Sequence, residues 1–422
     1  ICMDYGKNTV CILYHIQNNE KRTKLTVTPI VHFRDFHCTT PNATFNLQQE
    51  IKERKVKLVV NNRNSTPVYF YASEGIYREH QNDTFHNMYY VEEEKRGLDC
   101  EENLSVPGSY EIKIRAGEEK YVSFICSLEE NIEELDGRNL VNQEIIRITS
   151  ELYDSYLLEP KKQYTEEYKD LIKNYIIASD NFVVYRPSFA LYTLIAGYPW
   201  FLDWGRDSLI SFEGLVLIPR RFKVAKEVLL TCIRDIKYGL VPNGYSGYDS
   251  RPLYNSADAS LLLFEQVRKY LNYTHDYDLL KSHLYETLKK VIDAYIEGID
   301  LDGNNIHLDK ADGLLSSGTP YIQNTWMDAK IGDKVVTPRN GKAVEINALW
   351  YNALCIMADF AKLYKEKELE KQYKELAKQC KRSFEEKFYN KKRKSLDDLV
   401  GDNKIRPNQL FAIGLHYPVI DP

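Results

Sequence analysis

Closely spaced cysteines are missing from this 422-residue sequence. Its eight cysteines (Cys2, Cys11, Cys38, Cys100, Cys126, Cys232, Cys355 and Cys380) lie far apart, with no CxxC pair and no metal-ligand spacing. They read as reduced, mostly buried small hydrophobes, which suits a cytoplasmic protein. No apolar run approaches the roughly 20 residues of a membrane-spanning helix, so no membrane partner is expected. A basic excess is also lacking. The formal net charge is −5, so nothing points to phosphate neutralisation, and nucleic acid is not an expected partner. The start, Ile1-Cys2-Met3-Asp4, has neither an initiator Met nor a signal-peptide apolar region, and it reads as a cut inside a longer protein. Without an export signal, the Asn-x-Ser/Thr triplets at Asn42, Asn82 and Asn103 read as chance.

What the sequence does have is a soluble composition, 43% hydrophobic and 28% charged, enough to build a real core. Tyrosine is abundant, with 32 Tyr and 16 Phe against 4 Trp. Aromatic rings make sugar-stacking platforms, although Tyr beside plentiful Lys and Asn also fits a codon bias. Two halves show different periods. Within 1–127, the runs Val10–Ile16, Leu25–Ile30, Val56–Val60 and Val68–Ala72 are short and β-rich. Tyr110, Ile112 and Ile114 alternate with charged residues, and Ala116-Gly117-Glu118 then turns into Tyr121–Cys126. That pattern predicts a hairpin with one buried face, inside a sandwich of short strands. Residues 128–160 are charged and helical in composition, and read as a helical linker. From 161 to 422 helix follows helix, with apolar residues at helical spacing. Helices are predicted near 165–180, 207–217, 221–237, 257–271, 276–297, 343–364, 367–388 and 407–415. Long loops at 238–256 and 298–341 interrupt them, and loops of that length in a compact helical domain are usually functional.

Four clusters carry possible chemistry. In Tyr198–Asp207, two Trp and two Asp surround Arg206 just before a helix. Arg206 and Asp207 offer fixed donors and an acceptor for vicinal hydroxyls, and Trp204 offers a flat face for a sugar ring. Asp207 is equally placed to cap a helix beginning at Ser208, with Trp204 in the core. In Asn324–Ala329, Asp328 stands beside Trp326. A carboxyl desolvated by indole has a raised pKa and can serve as a proton donor, although alone it also fits a loop turn. The third cluster joins Val241–Gly244 to Leu253–Ser260. Ser256 is placed to cap the next helix, with Asp258 in its first turn favouring the dipole. The fourth, Pro338–Tyr351, sets Glu345, Asn347 and Trp350 at a helix entrance. Asp300-Leu301-Asp302-Gly303-Asn304 has its Gly one place out for a calcium loop and reads as a hairpin turn. Neither a metal nor any other cofactor is expected.

In order and spacing these clusters resemble the C-terminal glucosidase domain of bacterial and archaeal glycogen-debranching enzymes, the amylo-1,6-glucosidases. The matching pieces are Trp200–Asp207, Gly239–Asn243, Tyr254–Ser260, Thr325–Asp328, Gly341–Leu354 and Arg406-Pro407-Asn408-Gln409. Thr28–His37, with its Arg34-Asp35-Phe36-His37, is similar to the later part of that family's N-terminal β-domain.

The resemblance implies a mixed α+β chain, an N-terminal β-sandwich, a helical linker and a six-hairpin (α/α)6 barrel. That barrel needs twelve helices, so it would be incomplete here. It further implies that Asp328 is the general acid and that Arg206 and Asp207 hold the terminal glucose. Trp204 and Trp326 would shape the pocket, with Tyr254, Glu345 and Asn347 as weaker subsite contacts. The implied reaction is inverting hydrolysis of α-1,6-linked glucose stubs in a branched α-glucan such as glycogen or limit dextrin. The second carboxylate would lie beyond residue 422, which would leave this chain alone inactive. A trehalase-like or glucosylglycerate-type hydrolase shares the pocket chemistry, and a non-catalytic glucan-binding scaffold is the reading from a different class. Nothing in the sequence marks a separate 4-α-glucanotransferase site.

Overall fold

The computed structural model describes residues 1–35, 38–40, 46–60, 65–154, 164–198, 201–246 and 251–421. Phe36, His37, Asn42 and Trp200, all singled out in the sequence, lie outside these. The chain divides into two compact units, Ile1–Tyr153 and Asp154–Pro422.

Among its described residues the first unit has nine strands. These are β1 (Cys2–Met3), β2 (Thr9–Gln17), β3 (Thr23–Val27), β4 (Leu47–Lys52), β5 (Lys55–Val60), β6 (Val68–Ala72), β7 (Ile76–Tyr89), β8 (Glu101–Ile114) and β9 (Glu119–Ser127). One antiparallel sheet has the order β1-β2-β9-β6-β5-β4, and a second has β3-β8-β7. The two share a core: Val27, Tyr77, Tyr110 and Ile112 from the smaller sheet pack with Val56, Leu58, Phe70, Ala72, Val122 and Phe124 from the larger.

This arrangement overturns the predicted hairpin at 110–126. β8 pairs with β3 and β7, whereas β9 pairs with β2 and β6. The Ala116–Glu118 turn carries the chain from one sheet to the other. Its Gly117 has φ +73° and donates its N–H to the Asn18 carbonyl at 2.7 Å. The alternation at 110–114 does give β8 one buried face there, but on β9 Val122, Ser123, Phe124 and Ile125 are all buried, with Val122 and Phe124 in the shared core and Ile125 packed with Cys11 and Leu140 on the other face. The core-facing sides of the two strands meet across the core instead of lying side by side, and period alone cannot tell the two apart.

β4 and β7 were missed. β7 is fourteen residues long but polar along most of its length, with only Tyr77 buried. Arg34 pairs with the buried Glu102 at 3.0 Å, so this part of the N-terminal motif is an internal ion pair. Helix α1 (Val91–Lys95) is short, and α2 (Gly137–Asp154) packs Leu140 against Cys11 and Ile125.

In the second unit the helical periods hold. It contains α3 (Glu166–Asp180), α4 (Gly205–Phe212) continued by a π turn at Glu213–Leu217, α5 (Phe222–Arg234) and α6 (Ala259–Thr274). Then come α7 (Tyr277–Leu279), running through a π turn into α8 (Tyr285–Glu297), and α9 (Val344–Leu363), α10 (Lys367–Phe388) and α11 (Phe411–Gly414). α5, α8 and α10 bury one face only. α6 and α9 are buried nearly all round, and they pack on each other as interior helices. Asp300–Asn304 forms the turn expected of it, closed by antiparallel pairing of Ile299 with Ile306.

Candidate functional site

The second unit brings its loop clusters to one place. α4 begins at Gly205, with Trp204 as its extended N-cap, so Asp207 lies inside the first turn and does not cap the helix. Glycine is required at 205: a Cβ there would stand 2.2 Å from the Pro242 carbonyl oxygen. The Gly205 N–H donates to the Asn243 carbonyl at 2.7 Å, which locks the first cluster to the third.

Arg206 is the centre of the arrangement. Its Nε donates to both oxygens of Asp258 at 2.9 Å, and its Nη1 reaches Asp328 at 3.4 Å. Nη2 is buried and has no hydrogen-bond partner among the described residues. Ser256 accepts from the Ala259 N–H and its hydroxyl also donates to Asp258, but α6 starts at Ala259 with Asp258 at its N-cap, so Asp258 precedes the first turn instead of lying within it. Asp258 was read as a helix-dipole residue; it is the carboxylate that clamps Arg206. The two are 52 positions apart, and no local pattern could have paired them.

Two cavities meet here and share Ala196, Arg206 and Asp207. One, of about 550 Å³, is also lined by Asp258, Trp326 and Glu345. The other, of about 580 Å³, is lined by Trp204, Asn255, Asp328 and Lys330. Volumes of this order hold small-molecule ligands. Trp326 presents 45% of its surface to solvent. Burial pushes the Asp328 carboxyl above the usual range, and the Arg206 charge offsets only part of that rise. The site therefore offers a carboxyl biased towards its protonated form, a guanidinium with a spare donor, and two indoles.

Three other expected residues need correction. Asn347 lines neither cavity. Its Oδ1 accepts from Leu315 N at 2.7 Å, and its Nδ2 donates to the Leu315 and Ala343 carbonyls, so it ties α9 to the Leu314–Ser316 strand. The hydroxyl of Tyr254 is spent on the Asp235 carbonyl at 2.6 Å, and this residue also lies outside both cavities. Glu345 borders the first cavity but is 1% exposed, with both oxygens bonded to Arg339. It belongs to the wall and presents no free group to a ligand.

Comparison with known sequences decides the family. Residues 177–422 match the amylo-alpha-1,6-glucosidase family, and residues 1–121 match the family described as glycogen debranching enzyme N terminal. The chain belongs to the amylo-alpha-1,6-glucosidase family. The glycogen debranching enzyme of Saccharomyces cerevisiae is 28% identical over 218 aligned residues, covering 38% of this chain and 14% of that protein. The chain thus spans only a small part of this relative's length. Among solved structures, a bacterial glucoamylase complexed with acarbose superposes with a TM-score of 0.50 at 13% identity, over 83% of this chain and 51% of that one. A rhamnosidase from Klebsiella oxytoca with rhamnose bound aligns at 9% identity and a TM-score of 0.43, over 92% of this chain and 74% of that one. The likeness to the glucoamylase is one of fold, the mixed helix-and-sheet architecture of six-hairpin glycoside hydrolases.

Proposed function

We propose that this chain is the glucosidase portion of a glycogen-debranching enzyme, which hydrolyses α-1,6-linked glucose stubs in a branched α-glucan with inversion. The described residues from Tyr164 on then belong to an (α/α)6 barrel, 1–127 to a β-sandwich, and α2 is a helical link after it. The enzyme works in the cytoplasm.

One observation carries this reading: Arg206 joins Asp258 to Asp328 and keeps its buried Nη2 without a partner among the described residues, at the cavities shared with Asp207. Buried donors are nearly always satisfied, so an open one beside a cavity fits a ligand acceptor. A glucose hydroxyl supplies such an acceptor, and Asp207 accepts from its neighbour. Asp328, whose carboxyl burial pushes above its ordinary range, donates its proton to the glycosidic oxygen as the bond breaks. An ionised carboxylate on the opposite face activates water, with about 6.5–9.5 Å between the two groups. Asp258 and Glu345 are already engaged by guanidinium groups, so neither takes that part.

The test is Asp328→Asn in the whole protein. Glucose release from limit dextrin should fall about 10²–10⁴-fold, the contribution of a general acid, while isomaltose binding persists. Undiminished turnover would remove Asp328 from the acid role.

A further inference from the structure

We propose that Asn408 is a positioning residue, which sets the plane of the Trp326 indole at the cavity and thereby the register of the Thr325–Asp328 segment. The inference rests on the reading of Asp328 as the acid.

The geometry is a chain of bonds running inward from the exposed ring. Trp326 Nε1 donates to Asn408 Oδ1 at 2.7 Å, across 82 positions of sequence. The Asn408 amide is 2% exposed, and its Nδ2 donates to Asp398 Oδ1 at 2.7 Å and contacts Met327 Sδ at 3.6 Å. Asp398 is in turn gripped by Arg339, through Nε at 2.7 Å and Nη2 at 3.0 Å, and by Arg406 at 2.7 Å. Arg339 closes the loop by donating to Thr325 Oγ1 at 3.0 Å, and its backbone N–H donates to Gln323. Residues 323, 325, 326 and 327 are therefore each held by one buried network, in which Arg339 and Asp398 are 1% exposed. Asp328 is the next residue. Trp326 has nearly half its surface in solvent, so packing alone does not fix its rotation; among the described residues its side-chain hydrogen bond is to Asn408. A side-chain amide suits this task because it accepts from the indole and donates to the carboxylate at once. Neither Asp nor Leu can do both.

The experiment reads the indole directly. The chain has four Trp, so a ¹⁵N spectrum carries four indole N–H signals, with Trp326 assigned from Trp326→Phe. In Asn408→Ala, and in the milder Asn408→Ser, the Trp326 signal should move and exchange faster with solvent, while the Trp204 and Trp350 signals stay in place and report an intact fold. In the whole protein, Asn408→Ala should lower kcat on limit dextrin by about 10²-fold, the scale of a misplaced reacting group, with a smaller change in KM. A double-mutant cycle separates positioning from general stability: in the Trp326→Phe background, Asn408→Ala should add little further loss. An unmoved Trp326 signal, or additive losses in the cycle, overturns the proposal. If instead Asp328→Asn retains full turnover while the Trp326 signal still depends on Asn408, the acid assignment fails and the indole clamp stands.

Discussion

Arg206 and Arg339 are both guanidinium groups set between two carboxylates in the helical unit, and they are treated in opposite ways. Arg339 is 1% exposed, and every side-chain nitrogen is engaged: Nε with Asp398, Nη1 with Glu345 and Thr325, Nη2 with Glu345 and Asp398. Arg206 holds Asp258 closely, reaches Asp328 only at 3.4 Å and leaves Nη2 without a partner. A saturated guanidinium fixes structure. One left short of partners at a cavity has a donor to offer a ligand. The two residue types are identical, so the difference lies entirely in what the fold sets around each.

The contrast predicts different failures. Arg339→Met strands Glu345 and Asp398 as buried carboxyls without their cation and should cost about 3–5 kcal/mol of stability. Urea unfolding followed by Trp fluorescence measures it, and because all four Trp lie beyond residue 154 the signal reports the helical unit alone. A cost below about 1 kcal/mol would place Arg339 with the exposed ion pairs. Arg206→Lys keeps a cation beside Asp258 but removes the open donor. Calorimetric affinity for isomaltose should fall by about 1.5–3 kcal/mol, the worth of a hydrogen bond to a charged group, with unfolding little changed. Equal affinity would mean that Nη2 meets no ligand.

Asn347→Leu should cost about 1–3 kcal/mol of stability, since it removes the side-chain partner of the Leu315 N–H and carbonyl, and should leave isomaltose affinity unaltered in the folded protein. Weakened binding there would return Asn347 to the pocket. The smallest effect is a pH slope. Burial pushes the Asp398 carboxyl up, but hydrogen bonds and charge from Arg339, with Asn408 and Arg406, outweigh this and hold it below the ordinary value. A depressed folded pKa gives stability that is present above the unfolded value of about 3.9 and lost as pH falls through the folded one. Acid unfolding below about pH 4 should therefore be shallower in Asp398→Asn than in the parent chain. Parallel curves would show that Asp398 carries none of the acid sensitivity.

The helices were legible because their signal is local. Apolar residues three and four apart on α5 and α8 report one buried face whatever packs against it. Trp326 and Asp328 stand out in sequence because they sit in a loop too long to be a mere connection, and Trp204, Arg206 and Asp207 because unusual residues crowd just before a helix; all five line the two cavities. The roles of Asn347 and Tyr254 were not. A polar side chain near a motif looks the same in sequence whether it meets a ligand or a neighbouring backbone carbonyl, and here the carbonyls of Leu315 and Asp235 claimed them. Asp258, Asp398 and Asn408 escaped for the complementary reason: their partners lie 52, 59 and 82 positions away.

By itself, then, the sequence determined where the helices and the more apolar strands run, which face of each amphipathic helix is apolar and which segments hold indoles, carboxyls and a guanidinium. These follow from backbone period and residue chemistry, both readable within a dozen positions. Only the tertiary structure decided that β8 and β9 face each other from separate sheets, that Arg206 is left with an open donor while Arg339 is filled, and that Asn408 holds Trp326. Hydrogen bonds act over about 3 Å of space and take no account of separation along the chain, so which groups are satisfied and which are left open is settled only when distant segments meet.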